Sequence, residues 1–193
     1  MVDQKSKYLQ LAKLHKKYIR EGFLPTLGIP FLTLLYESID SDNKSILIFF
    51  EKDNRIIGYV TGSSGMKSIY IELLKRFPRL LISLLPVLLS PKKIFKILEI
   101  LFISIKSKGY TDLPNEELLT IVVDKDFQGK GYAEDLFIKL CNEFHNKGYN
   151  SFKIVVGESL ARAHSFYKKL GSIPVRKIEI HKGISSIVYL KKI

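Results

Sequence analysis

Residues 117–136 read ELLTIVVDKDFQGKGYAEDL. An apolar run ends at Val123, glycines follow at 129 and 131, and Leu136, Phe137, Leu140, Cys141 and Phe144 then recur at helical spacing. The pattern predicts a buried strand, a short turn and a helix over Ala133–Lys147. Glycine is a poor helix former, so two of them at a helix mouth call for a reason other than helicity. Such a turn leaves the first N–H groups of the helix unpaired at the positive end of its dipole, where phosphate binds. A side chain at Gly131 would hold a pyrophosphate off the backbone, and Lys130 adds a cation. The spacing Gln128-x-x-Gly131-x-Ala133 therefore reads as a diphosphate cradle.

Two other phosphate motifs fail. The dinucleotide fingerprint wants a small residue three places after its second glycine, where Glu134 stands, and an acid sooner than Glu158. A Walker A loop wants Gly-Lys-Ser/Thr, but Gly131 follows Lys130, and GSSGMKS at 62–68 lacks the Gly-Lys pair.

Outward from the cradle, apolar residues at Tyr8, Leu11, Leu14, Tyr18 and Ile19 predict a helix over Gln4–Arg20. A loop with Pro25 and Pro30 leads to a second helix around Phe31–Ile39. SILIFFEKDNRIIGYVTG predicts two strands turned at Asp53-Asn54. Downstream, SFKIVV is a strand, Leu160–Leu170 a helix, and VRKIEIHKGISSIVYL a hairpin turned at Lys182-Gly183. Strands alternating with helices between antiparallel ends predict an α/β (α+β) three-layer fold. The 193 residues are read as one domain, 1–193, with 46% apolar residues to fill its core.

Residues 66–110 differ in character. The apolar clusters LLISLLPVLL and IFKILEILFISI are broken by Pro78, Pro86, Pro91 and basic residues, and predict three short amphipathic helices inserted between strands. The longest charge-free run, Leu80 to Pro91, is about half of the roughly 20 apolar residues a membrane span requires. Nine Lys/Arg against two Glu place +7 of the net +12 in this insertion. An anion-facing or membrane-facing cover, a dimer interface and an extension of the core all fit. The basic balance itself fits either an anionic partner or a lysine-rich surface. The N-terminus shows no secretion signal, so the expected compartment is cytoplasmic. The one cysteine, Cys141, excludes an intrachain disulfide and reads as a small core residue. No metal-binding spacing and no nucleic-acid motif is present, so neither partner is expected.

ELLTIVVDKDFQGKGYAEDLF resembles the main motif of the GNAT acyl-CoA-dependent N-acyltransferases: a strand, then Gln/Arg-x-x-Gly-x-Gly/Ala, then a helix. ARAHSFYKKLGS at 161–172 resembles the second, with Ala163, Phe166, Tyr167 and Gly171 in place. The resemblance implies a central mixed, mostly antiparallel sheet, splayed and flanked by helices. It implies an acyl-CoA, acetyl or another short chain, with its pyrophosphate on the backbone of Gln128, Gly129, Lys130, Gly131, Tyr132 and Ala133. The pantetheine would lie along Ile121, Val122 and Val123, with a Val123 N–H stabilising the oxyanion. Tyr167 would be the general acid for the leaving thiolate, and Glu117 the water-linked base, with Glu116 its alternative. His164 reads as a solvated histidine. An Asn of the family pattern is replaced by Leu160, so Ser159 is taken as the cofactor contact there. The family's first strand is missing or reduced to Met1–Asp3, and Ser172 replaces a common Phe.

The chain further resembles bacterial relatives that acylate nucleotide-linked (dTDP- or UDP-) amino sugars for surface polysaccharides, including lipopolysaccharide. The implied partners are the coenzyme A thioester and an anionic amino-sugar nucleotide, with a homodimer and peripheral membrane contact both compatible. Acylation of a protein or peptide amine is the alternative. A non-enzymatic CoA-binding or membrane-surface protein is the reading from another class.

Overall fold

The computed structural model describes residues 4–19, 23–88, 112–181 and 184–193. Two helices come first, α1 (Gln4–Tyr18) and α2 (Gly28–Ser41), with a 3₁₀ turn (Leu24–Leu27) before α2. Pro30 lies inside the first turn of α2, where a missing N–H costs nothing. The hairpin β1 (Ser45–Lys52) and β2 (Arg55–Ser63) follows, turned as expected at Asp53 and Asn54, whose φ angles are 51° and 58°. Both residue types tolerate this left-handed conformation. Next come α3 (Met66–Lys75) and α4 (Phe77–Leu88), then β3 (Glu117–Val123). After β3 the chain forms α5 (Tyr132–Asn146), β4 (Ser151–Gly157), α6 (Ala161–Lys169), β5 (Ile173–His181) and β6 (Ile184–Lys192). The third helix expected in the insertion, the turn at Lys182-Gly183 and the Met1–Asp3 strand lie outside the described residues.

The six strands form one mixed sheet in the order β1-β2-β3-β4-β6-β5, antiparallel except between β3 and β4. Each face carries its own core. One holds Leu11, Leu32, Leu35 and Ile39 of the first two helices over Tyr59 and Val122. The other holds Leu136, Phe137, Leu140 and Phe144 of α5 with Phe152, Ile154 and Tyr167. The three layers follow from these two apolar stripes facing opposite sides of the sheet. Gly62 lets α5 sit close: a Cβ there would come within 2.7 Å of the Phe144 ring.

The first part of the insertion extends the first core. Ile69 and Leu73 are buried, and Leu80 and Leu84 pack behind them. Arg76 and Arg79 turn toward α2, where Glu37 takes both, at 3.3 and 2.6 Å. Two cations of this basic segment are thus engaged by the fold. α3 and α4 also expose Ile71, Leu74, Phe77, Leu81, Ile82 and Leu85, alongside Lys67 and Lys75 on α3. No described helix is long and apolar enough to cross a membrane.

Candidate active site

β3 and β4 run parallel yet pair over only two positions, Glu117↔Lys153 and Leu118↔Ile154. Against β2, by contrast, β3 is paired to its end, Gly58↔Val123. The cause is visible in the register. Thr61 faces Thr120 and Gly62 faces Leu118, so Leu119 is an extra residue, a bulge that bends the strand and reverses which way its backbone groups point. Before the bulge, the Glu116 carbonyl accepts from Lys153 N–H at 2.8 Å. After it, Asp124 N–H donates to the Ile57 carbonyl of β2 at 2.8 Å. By alternation the N–H and C=O groups of Ile121 and Val123 then point at the gap where β4 has departed. This also explains why Leu119, Thr120 and Ile121 are only half-buried in a strand that the sequence predicts to be buried. One side of β3 is open.

The glycine turn stands at the end of that gap. Gly129 and Gly131 have φ angles of 75° and 86°, and a Cβ on either would meet nothing within 4 Å. Glycine is therefore required by the left-handed backbone, and the space before it is free for a ligand. The first helical bond is Asp135 N–H to the Gly131 carbonyl at 3.0 Å, so α5 uses none of the amides before it. The helix starts at Tyr132, one residue earlier than its apolar spacing predicts. Gln128 folds back and donates from Nε2 to the Val123 carbonyl at 2.9 Å, leaving the Val123 N–H as that residue's free backbone group toward the gap. Lys130 is also drawn back, its Nζ on the Asp126 carbonyl at 2.9 Å. Ser159 is exposed on the turn between β4 and α6.

The two expected catalytic side chains reach the sheet from opposite sides. Tyr167 is 5% exposed in the α5/α6 core, its ring centroid 6.0 Å from Phe137 and 6.3 Å from Tyr189. Burial alone pushes its phenol well above the ordinary tyrosine range, so it keeps its proton. Leu118 belongs to that core, so by alternation Glu117 points to the other face. There its Oε2 lies 3.6 Å from Lys153 Nζ. Burial raises the Glu117 pKa, and the lysine offsets part of that rise.

One reading changes. His164 is half-buried and held by both ring nitrogens: Nδ1 lies 2.9 Å from the Tyr189 hydroxyl and Nε2 3.1 Å from the Gly157 carbonyl. It braces the end of β4. Cys141 is half-buried with its thiol pushed up to about 11 by burial, which fits a packing role. Among the described residues no cluster of side chains could hold a metal ion.

The sequence reading missed a buried cluster at the foot of the glycine loop. Asp124, 1% exposed, accepts from the Tyr18 hydroxyl at 2.9 Å and pairs with Arg55. The Tyr18 hydroxyl in turn accepts from Lys125 N–H at 3.0 Å. Tyr18 carries no signal of this in sequence, since it simply completes the apolar stripe of α1. Asp124, a carboxylate closing an apolar strand, is the one visible hint.

Residues 102–193 match the family model described as "Acetyltransferase (GNAT) domain". GNAT acetyltransferases use acetyl-CoA, and this match, over a little under half of the chain, supports an acyl-CoA-dependent N-acyltransferase. No curated protein matches the sequence. The fold is similar to that of an N-acetyltransferase from Staphylococcus aureus Mu50, with 14% identity and a TM-score of 0.63 over 100% of this chain and 96% of that one. It is also similar to an aminoglycoside 6'-N-acetyltransferase complexed with coenzyme A, at 13% identity and a TM-score of 0.60 over 96% and 89% of the two chains. The residues present fit such a cofactor: a side-chain-free cradle of helix-start amides adjoins a strand edge with unpaired backbone groups.

Proposed function

We propose that the chain moves an acyl group from acyl-CoA to the primary amine of a nucleotide-linked amino sugar, in surface polysaccharide biosynthesis. The observation that carries the transferase chemistry is the gap opened by the Leu119 bulge, lying between the glycine loop and Glu117. Coenzyme A supplies an activated acyl group as a thioester. The amides of residues 128–133 hold its pyrophosphate, with Ser159 at the opposite rim. The Ile121 and Val123 backbone groups align its arm.

Within the site, the Val123 N–H stabilises negative charge developing on the carbonyl oxygen. Glu117 takes a proton from the attacking amine through water, and its raised pKa makes it a stronger base than an ordinary carboxylate. Tyr167 holds its proton at the phenol oxygen until the thiolate leaves. Base on one face and acid on the other suit a transfer in which the amine attacks the carbonyl from one side and, as the C–S bond breaks, the thiolate departs toward the other.

The amino-sugar acceptor is supported by the net charge of +12, which favours an anionic substrate. Its test is mass spectrometry of products formed from dTDP- and UDP-amino sugars with several acyl-CoAs. Acylated sugar nucleotide is the expected product. Acylation of peptide amines alone would replace this acceptor while leaving the transferase reading in place.

A further inference from the structure

We propose that Tyr18 is a positioning residue for the acyl donor, joining the end of α1 to the base of the loop that presents the pyrophosphate-binding amides. This rests on the reading of residues 128–133 as that cradle. The loop leaves β3 at Asp124, and a carboxylate buried there is costly unless its oxygens are satisfied. Oδ1 takes the Tyr18 hydroxyl at 2.9 Å and the Asp126 N–H at 3.4 Å, while Oδ2 takes Arg55, with Lys17 Nζ at 3.8 Å. Burial favours the neutral acid, but the Tyr18, Asp126 and Arg55 contacts outweigh it and hold the carboxyl below the usual range.

The Tyr18 oxygen thus donates to one loop residue and accepts from the next, Lys125 N–H at 3.0 Å. Those two residues follow the end of β3, Asp124 capping and Lys125 beginning the 3₁₀ turn Lys125–Phe127. From there the loop's side chains hold mainly to the end of β3 and to one another, Gln128 Nε2 on the Val123 carbonyl, Lys130 Nζ on the Asp126 carbonyl and Phe127 against Tyr132. Phe127 N–H reaches the Asp124 carbonyl at 2.8 Å, Gln128 N–H the Lys125 carbonyl at 3.3 Å, and residues 128–131 are exposed. The direction in which the Gly131 and Tyr132 amides point is therefore inherited from the pinned base. A loop fixed before binding loses less freedom on taking its ligand. Removing the hydroxyl leaves Lys125 N–H to water and strips Asp124 Oδ1 of its closest partner, which lowers stability somewhat as well as freeing the loop.

The test is calorimetric titration of the wild-type protein and Tyr18→Phe with coenzyme A and with pantetheine, which lacks the pyrophosphate. One hydrogen bond's worth of positioning, roughly three- to tenfold in Kd, is expected for coenzyme A. Pantetheine should bind both proteins within twofold, and amide exchange should rise at 125–134 while staying unchanged in α1. Equal weakening of both ligands, or of neither, would overturn the inference. A wild-type protein that bound coenzyme A no more tightly than pantetheine would instead remove the cradle reading beneath it.

Discussion

Glu117 and Lys153 face each other on the first of the two rungs that join β3 to β4, with the ammonium 3.6 Å from the carboxylate. Beyond the second rung the strands part, so the pair sits at the closed end of the gap. The lysine keeps Glu117 from rising as far as burial alone would take it. The carboxylate is therefore both basic and ionisable.

A base whose pKa lies above the ordinary carboxylate range of about 4.3 loses activity on the acid side of neutrality as it protonates. The kcat/KM profile of the wild-type enzyme should show that acid limb, and Glu117→Gln should lower the plateau and abolish the limb. An unaltered limb in the variant would assign it to another group.

Tyr167→Phe should slow turnover by about tenfold or more, at the low end of what general acid catalysis contributes. Coenzyme A affinity should hold within twofold, because the ring still packs against Phe137 and Tyr189. Since burial keeps the phenol protonated, no loss of rate from Tyr167 ionisation is expected between about pH 7 and 10. Steady-state kinetics against pH checks both statements.

Asp124 links stability to pH with a definite sign. Its folded pKa is depressed, so its contribution is complete above the unfolded value near 3.9 and fades as pH falls through the folded one. Asp124→Asn should therefore unfold at a lower temperature than wild type at pH 7, with the difference shrinking below about pH 4. Thermal unfolding across pH measures it.

How far the sequence foretold this molecule depends on the range of each interaction. The turn at Asp53-Asn54, the helix after Gly131 and the α5 stripe were legible because their causes are local. The Leu119 bulge was not, since ELLTIVV reads as one unbroken buried strand and the extra residue shows only against Thr61 and Gly62 of another strand. The splay itself came from the family resemblance, and the structure supplies its mechanism. Tyr18 and Asp124 meet across 106 residues of chain, which no spacing rule reaches. His164 was misread for the same reason: its partner Tyr189 lies on β6. In the insertion, apolar periodicity marked the two described helices but gave no sign that Arg76 and Arg79 would turn to Glu37.

The central claim is that amides at the start of α5 grip a diphosphate across space kept clear by glycine. Titrating coenzyme A into the wild-type protein and into Gly131→Val measures it directly. The substitution puts a branched side chain on a backbone at φ 86°, with strain of about 1–3 kcal/mol, and in the path proposed for the cofactor. The account predicts heat of binding for the wild type and a loss of at least tenfold in affinity for a variant that remains folded. Equal binding by the two proteins, or no heat from either, would contradict it.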